Sequence, residues 1–519
     1  MATLAENVTT IIDRLVATVG AAAIETEAAE LAFHGQDVFT RGPDPLAVFR
    51  PDDIAMLARG IAVAAADGLA IVPRGGGMSY TSGYLPNAAG ALLIDLAAMD
   101  RILDIDETDM TVTVEAGCSW AKLYEALRPR GLRTPLWGTL SGIKASIGGG
   151  MSQNGLFWGA RNGSIAATAL TFDVVLADGS VVRIGSDVLR PFGPDVTGLF
   201  AADCGALGIK AHITLPLVRE AEAFAYGSFA FDAPKQFSAA MSEIARAGLA
   251  SESFGFDPFL QAQRMKRDSL GADARALVGM MKAQGGFWKG LREGAKVVAA
   301  GRSFLDDATF SIHTIAEGRT QAAADADMAA IRAIALTAGG REVENTIPKV
   351  LRANPFPPVN SMLGPNGERW VPVHGIVRHS QALATVEAVI ALFEAHAADM
   401  DKFGIGAGYM FVTVGTTGFL IEPVFYWPET HGELHRRSIE PAHLARLNEF
   451  PDTPEARALV EKLRGEIIAI FGRMDAIHLQ IGRTYPLEAR SDPGAWRILR
   501  AVKTAVDPEH RMNPGVLGL

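Results

Sequence analysis

The sequence is poor in cysteine, with Cys118 and Cys204 the two instances in 519 residues. Two are too few for a disulfide framework, and a reducing compartment suits them. No C-x-x-C and no H-E-x-x-H occurs, so neither a redox dithiol nor a zinc site is expected, and no metal is assigned. No apolar run reaches the length of about 18 residues that crosses a bilayer. Positive charge is in short supply: Lys+Arg 48 against Asp+Glu 58 gives a net charge of -10, which disfavours nucleic acid as a partner. Glu6 and Asp13 break up the first apolar positions, so a secretory signal is not expected and the cytoplasm is the expected location.

Glycine, by contrast, is abundant and clustered, with 54 residues and no collagen-like period. Clusters of glycine let backbone approach a ligand closely. The first is PRGGGMSYTSG, Pro73 to Gly83, directly after a strand-like segment. Successive bare amides in such a turn form an anion nest, and Ser79 and Thr81 add hydroxyls. The stretch is not a Walker loop, since no G-K-[ST] ends it, and it does not open a long helix as a dinucleotide fingerprint does. A second cluster, Gly148-Gly149-Gly150 followed by Gln153-Asn154-Gly155, reads as another glycine loop. Two nests of this kind can grip one pyrophosphate from two sides. A third turn, Gly205 to Ile209, precedes a strand.

The length allows two or three domains. Residues 1–33 read as amphipathic helix, followed by a strand at AVFRP and a helix from Asp52 to about Gly68. Strands are expected at 69–73, 91–96 and 111–117, and a helix from Ser119 to Pro129. ALTFDVVLADGSVVRI is a hairpin turning at Asp178-Gly179. After about 220 the character changes to four strand-then-helix units, beginning near Gly227, Thr309, Val371 and Phe419. From His478 the chain returns to the Gly/Pro-rich style of its first part. An α+β fold follows, with 221–477 inserted as a cap between 1–220 and 478–519. Residues 261–302 hold nine Lys/Arg against three acids, a surface suited to peripheral contact with the inner face of a membrane or with an acidic redox partner.

These motifs, in this order, resemble the FAD-linked oxidoreductases of the vanillyl-alcohol oxidase, or PCMH, type. IVPRGGGMSYTSG looks like the family's first pyrophosphate loop and SIGGGMSQNG like its second. VEAGCSWAKLYEAL, the hairpin, PDVTGLFAADCGALGIKAHITLPL and VKTAVDPEHRMNPGVLGL look like the units that follow. The resemblance covers the first 220 and last 40 residues and implies a two-part PCMH-type FAD-binding domain. It implies FAD held by Pro73, Arg74, Gly75, Gly76, Gly77, Met78 and Ser79, by Gly148, Gly149, Ser152, Asn154 and Gly155, by Gly205, Gly208 and Ile209, and by Asn513. The inserted domain would cap the flavin ring.

The chain departs from the pattern at informative places. Tethered members carry His where Met78 stands, and the bicovalent subgroup has a Cys near the position of Gly142, so FAD is expected to be non-covalent here. A tether from His374, His379 or His478 stays open. The metal-site motifs G-D-G-N-L-H and E-H-G of the hydroxyacid dehydrogenases are missing.

The expected reaction is oxidation of a small alcohol, first of all a 2-hydroxyacid such as D-lactate. Arg483 would clamp the carboxylate, and His478 or His374 would take the hydroxyl proton. The alternative is a phenolic or aryl alcohol held by Tyr426, Tyr485 and Arg483. The alternative outside enzymology is a flavin-binding module without turnover. The expected partners are the substrate, an electron acceptor (quinone, cytochrome or O2) and, in a homodimer, a second copy of the chain.

Overall fold

The computed structural model describes residues 2–265 and 310–519. The chain divides into two compact units. The first comprises Met1–Phe157, Ser164–Glu220 and His478–Leu519; the second comprises Trp158–Gly163 and Ala221–Ile477. The short piece Trp158–Gly163 departs from the sequence expectation, which put it in the first unit. It belongs to the second because Trp158 Nε1 donates to Pro355 O at 2.9 Å, and the Gly159 amide donates to buried Glu252 at 2.7 Å.

The first unit holds two sheets. Strands β1 (Ile24–Glu25), β2 (Ala47–Phe49), β3 (Ile71–Arg74) and β4 (Leu92–Asp95) form one in the order β1-β2-β4-β3. The β2–β4 and β3–β4 pairings are parallel. Strands β5 (Ile102–Asp106), β6 (Thr111–Glu115), β8 (Thr171–Val175), β9 (Val181–Gly185) and β10 (Ile209–Pro216) form an antiparallel sheet in the order β5-β6-β10-β8-β9. A short pair, β7 (Leu132–Arg133) with β11 (Val218–Arg219), lies apart.

Local chemistry accounts for these elements. Asp53 caps the helix Ile54–Ala66 by accepting from the Met56 amide at 2.6 Å. Val112 and Val114, alternating along β6, are fully buried. The expected single helix over 1–33 is instead two, Ala2–Val19 and Ala28–His34, because Gly20 at φ 91° leaves the helical region between them.

The C-terminal return is fastened to this unit by buried polar groups. Lys503 Nζ donates to Asp507 at 2.5 Å, to Met512 O at 2.8 Å and to Ala206 O at 2.7 Å. Met512 and Arg511 amides in turn donate to Asp507. Such a buried pair holds because every proton has an acceptor. This explains why a lysine stands four residues before the aspartate in the closing motif.

The second unit is built on one antiparallel sheet of β12 (Ala223–Phe231), β13 (Glu252–Phe256), β14 (Phe310–Gly318), β15 (Arg341–Glu342), β16 (Arg369–Pro372), β17 (Gly375–Arg378), β18 (Gly406–Val414) and β19 (Gly418–Trp427). The order is β15-β12-β14-β13-β18-β19-β16, with β17 also on β19. Strands β13 and β18 were not expected. ESFGF is buried at every position and so shows no alternation, and three glycines or alanines open β18. Helix Pro234–Ala247 covers one face of the sheet. Its Phe237 ring sits among Phe231, Phe310, Phe411 and Phe419, with centroids 4.7 to 6.5 Å away. Burial of this kind is worth roughly 3–5 kcal/mol when a Phe is cut to Ala. The basic 261–302 stretch lies, from 266 onward, outside the described residues.

Asp257 supplies a pH dependence. Burial pushes its carboxyl up to about 6, against the pull of the Tyr409 and Leu260 amides, which donate to it at 2.8 and 2.9 Å. The folded chain therefore holds this proton more tightly than the unfolded chain does. The contribution to stability is fully present below the unfolded value of about 4 and is lost as pH rises to about 6. Asp257→Asn is expected to flatten the melting temperature against pH over that interval and to gain on the order of 2 kcal/mol on wild type at neutral pH. Thermal melts of both proteins across the interval check this; an unchanged slope in the variant counts against it.

Candidate functional site

In the first unit the three glycine turns come together. An ideal Cβ on Gly76 would lie 1.9 Å from Lys144 O, and one on Gly75 would lie 2.4 Å from Ser146 Oγ. The first loop thus touches the second through bare backbone. A Cβ on Gly205, at φ +71°, would lie 2.6 Å from Pro73 Cγ, so the third turn also packs on the first loop.

The first loop is braced from behind. The Tyr84 hydroxyl donates to Gly77 O at 2.9 Å and to Ser79 O at 3.2 Å. Asp37 accepts from the Ser82 amide at 2.8 Å, and the Ser79 and Thr81 hydroxyls are 3.1 Å apart. The amides of Gly75, Gly76, Gly77, Met78 and Ser79 donate to no acceptor among the described residues. A native chain rarely leaves five successive amides unpaired unless water or a ligand takes them.

Arg74 adds charge. It is buried, its Nε has no hydrogen-bond partner, and its guanidinium lies over the rings of Phe33 and Tyr84 at 4.9 and 5.6 Å. No carboxylate pairs with it among the described residues. Burial, and then the charge of Arg74, lower the Lys144 ammonium below its ordinary range. Burial raises Asp95, but the His34 hydrogen bond and the Arg74 charge outweigh it and leave the carboxyl lowered. Five free amides beside an unpaired buried guanidinium fit a diphosphate. The residues present therefore fit FAD.

The second cluster differs from its expected form. It is a helix, Ile147–Gln153, whose cap Ser146 accepts from the Gly149 amide at 3.2 Å. Its glycines have separate reasons. Gly148 packs on the residue that follows β6, where a Cβ would meet Ala116 Cβ at 2.6 Å. Gly149 faces space, with Ser146 Oγ at 3.1 Å as the contact a Cβ would make. Ser152 O accepts from the Cys204 amide at 2.8 Å. Asn154 ends the helix at φ 54° and caps the Ala166 amide at 3.1 Å, and Gly155 packs on Thr139 and Ile165. Ser146 and Lys144 were missed in the sequence, although a serine three residues before Gly149 is a cap signature.

Several expected cofactor contacts become structural on the same grounds. Gly208 is small because a Cβ would meet Val174 Cγ1 at 2.5 Å. Ile209 starts β10 opposite Val175 and is buried in the core. Asn513 does not reach outward with its amide: Nδ2 donates to Gly83 O at 2.8 Å and Cys204 O at 2.7 Å, tying the first loop to the third turn. Its Oδ1 is buried without a partner. Asp203 accepts from Lys210 Nζ at 2.6 Å and from the Gly205 amide at 2.9 Å, holding the third turn from inside. Burial pushes the Cys118 and Cys204 thiols up to about 12, so neither is a nucleophile at neutral pH.

The largest correction concerns Arg483. Its Nη1 donates to Ser82 O at 2.8 Å and Leu85 O at 2.9 Å, and its Nη2 to Pro514 O at 2.9 Å. Both Nη atoms are engaged by these carbonyls and clip the first loop to the C-terminal segment, while Nε is buried without a partner; the arrangement favours a structural role over the expected carboxylate clamp. The neighbouring His478 and Tyr485 are brought together, their rings stacked at 4.1 Å and 13°.

In the second unit, register gathers polar groups on the sheet face opposite Phe237. Pro372 pairs with Val424 and Gly375 with Ile421, so His374 falls opposite Glu422. Glu422 pairs with Met410, Met410 with Phe256 and Phe256 with Ser311. Tyr426, opposite Trp370, lies four residues along β19 from Glu422 and shares its face. His374 and Tyr426 are both buried. One row further, His313 is fully buried between Phe254 and Phe256, with Nδ1 2.9 Å from Ser228 Oγ and Nε2 3.1 Å from Ser311 Oγ. His313 was missed, although the alternation of FSIHTI places it on the face of Ser311. Arg378 is at the surface, paired with Asp475 at 3.0 Å. His379 is lowered by burial, and its Nε2 is 3.1 Å from Thr416 O. Among the described residues no group of three His, Cys, Asp or Glu is placed to hold a metal, and no helix is long and apolar enough to cross a membrane.

Residues 45–185 match the model of a family described as an FAD binding domain. Over 181 residues the chain is 32% identical to glycolate oxidase subunit GlcD of Bacillus subtilis (strain 168), covering 34% of this chain and 38% of that one. Over 197 residues it is 30% identical to a D-2-hydroxyglutarate dehydrogenase of Xanthomonas citri pv. viticola, covering 37% and 41%. The chain thus spans less than half the length of these relatives. The solved structure of p-cresol methylhydroxylase with substrate bound shares the fold over 99% of this chain and 97% of that one, with a TM-score of 0.74 at 15% identity. Family match, free amides and fold agree: the chain carries an FAD-binding domain and has the two-unit α+β fold of the PCMH-type flavoproteins.

Proposed function

We propose that the protein is an FAD-dependent oxidoreductase that oxidises the CH–OH carbon of a small 2-hydroxyacid, with D-lactate as the first candidate. The observation that carries the reading is the likeness of its FAD-binding part to two proteins named for hydroxyacid substrates, glycolate and D-2-hydroxyglutarate. When bound, FAD supplies a hydride acceptor. The chain supplies the rest. The amides of Gly75 to Ser79 and the Arg74 guanidinium hold the diphosphate. His374, opposite Glu422, takes the hydroxyl proton, and the carboxylate stabilises the imidazolium that forms. Tyr426, on the same face, donates a hydrogen bond that orients the substrate. The His478–Tyr485 pair is the second candidate for proton transfer.

Met78, which stands in the first loop where tethered relatives carry histidine, supports non-covalent FAD. Electrons leave to a quinone, a cytochrome or O2, from a protein of the cytoplasm or the inner membrane face, with a homodimer as the assembly. Precipitating the holoprotein with acid is expected to release all yellow colour to the supernatant; a yellow pellet would contradict the non-covalent reading.

One observation favours a second reading. The three carbonyls on Arg483 occupy donors that a carboxylate anchor would use. A phenolic alcohol bound through the Tyr426 hydroxyl does not need that anchor. Turnover with an artificial dye, across matched 2-hydroxyacids and 4-alkylphenols, decides between them. Activity confined to phenols overturns the first reading, and no activity with either class makes the protein a flavin-binding module.

A further inference from the structure

The second unit contains a cavity of about 150 Å³ that the proposed chemistry does not use. It lies at the C-terminal end of helix Pro234–Ala247, beside the turn joining β18 to β19. Arg161, Ser253, Thr413 and Thr416 line it, with Gly248 and Gly415. Arg161 is the one charged group of the lining, and no acid joins it. The Arg161 side chain has no hydrogen-bond or ion-pair partner among the described residues. Ser253 is 6% exposed, and its hydroxyl also has no partner. A Cβ on Gly248 or Gly415 would meet nothing within 4 Å, so the space is open around both turns.

We infer that this cavity is a binding site for a small monocarboxylate. Its volume sets the size: a cavity of about 150 Å³ holds benzene, hence about six heavy atoms. Its chemistry sets the class. A lone guanidinium wants a planar anion and reads a carboxylate with two parallel hydrogen bonds. The buried Ser253 hydroxyl, costly to leave unpaired, donates to the same group. The last carbonyls of helix Pro234–Ala247 carry partial negative charge, which opposes a dianion such as phosphate more than a monoanion held by the guanidinium. The site is separate from the His374–Glu422 row: Ser253 and Thr413 alternate with Phe254 and Val412, which face the row's side of the sheet. The inference does not depend on which alcohol is oxidised.

Propionate is the probe, because it has no CH–OH group to oxidise. Calorimetric titration of the FAD-loaded protein with propionate is expected to show one site per chain. Ser253→Ala is expected to weaken it about tenfold, the loss of one charge-assisted hydrogen bond, and Arg161→Ala more than that, the loss of two. Arg161→Lys is expected to recover part of the affinity. Inorganic phosphate is expected to compete poorly. Absence of binding in the wild type overturns the inference, as does binding undiminished in both alanine variants, which would place propionate elsewhere. Melting curves of the variants show whether they fold; Arg161 is exposed, so its variants are expected to melt as wild type.

Discussion

Gly76→Ala is expected to purify without colour, its FAD content reduced at least tenfold. The added Cβ would stand 1.9 Å from Lys144 O, a backbone atom that cannot swing aside. Either the first loop or the start of the second cluster must shift, and the amides of Gly75 to Ser79 then lose their common aim. Five hydrogen bonds to a diphosphate depend on that aim, and losing even two or three at about 1.5 kcal/mol or more each accounts for the loss. A paired variant separates cofactor loss from general damage. Gly149→Ala places a methyl where the protein leaves space, with Ser146 Oγ at 3.1 Å as its contact. If that space belongs to the cofactor, Gly149→Ala also loses FAD while its circular dichroism matches wild type. Full FAD occupancy in both variants would remove the cradle from the account.

The second large effect is expected at Arg483. Arg483→Met removes donors to Ser82 O, Leu85 O and Pro514 O together. Three carbonyls that lose a charged partner cost on the order of 2–5 kcal/mol, since some regain water. The melting temperature is expected to fall by several degrees, and FAD to be held more weakly, because the same clip fixes the first loop to the Asn513 segment. Arg483→Lys is expected to recover little, as one ammonium does not span the three acceptors. A clamp on substrate would behave differently: KM would rise, with melting temperature and FAD content unchanged. That outcome would restore the role the sequence suggested.

Arg483 also shows what was legible in the sequence and what was not. Residue type and neighbourhood put it near the flavin-binding segments. Its partners are backbone carbonyls, which carry no side-chain signature, so a structural arginine and a substrate arginine look alike in one dimension. The glycines follow the same principle. Gly75 and Gly76 were readable as a close approach of backbone, because three in a row after a strand have few other uses, and their missing side chains make room for Ser146 and Lys144. Gly148 and Gly208 sit in equally suggestive strings, and their missing side chains make room for Ala116 and Val174; what sets the first loop apart is its free amides, which no residue type announces. The inserted unit was legible from its strand-then-helix rhythm. Its central strands β13 and β18 were not, because burial on both faces erases alternation and glycine lowers strand propensity. With them went the register that sets His374 opposite Glu422 and places His313 in the next row.

The most direct test of the central claim is a single turnover without oxygen. The yellow holoprotein is mixed anaerobically with D-lactate, glycolate or D-2-hydroxyglutarate, and the visible flavin absorption is followed while 2-oxoacid is assayed. The account predicts that at least one of these acids bleaches the flavin, with one 2-oxoacid formed per FAD. Flavin that stays oxidised with every hydroxyacid, yet bleaches with a 4-alkylphenol or only with a photochemical reductant, would contradict it.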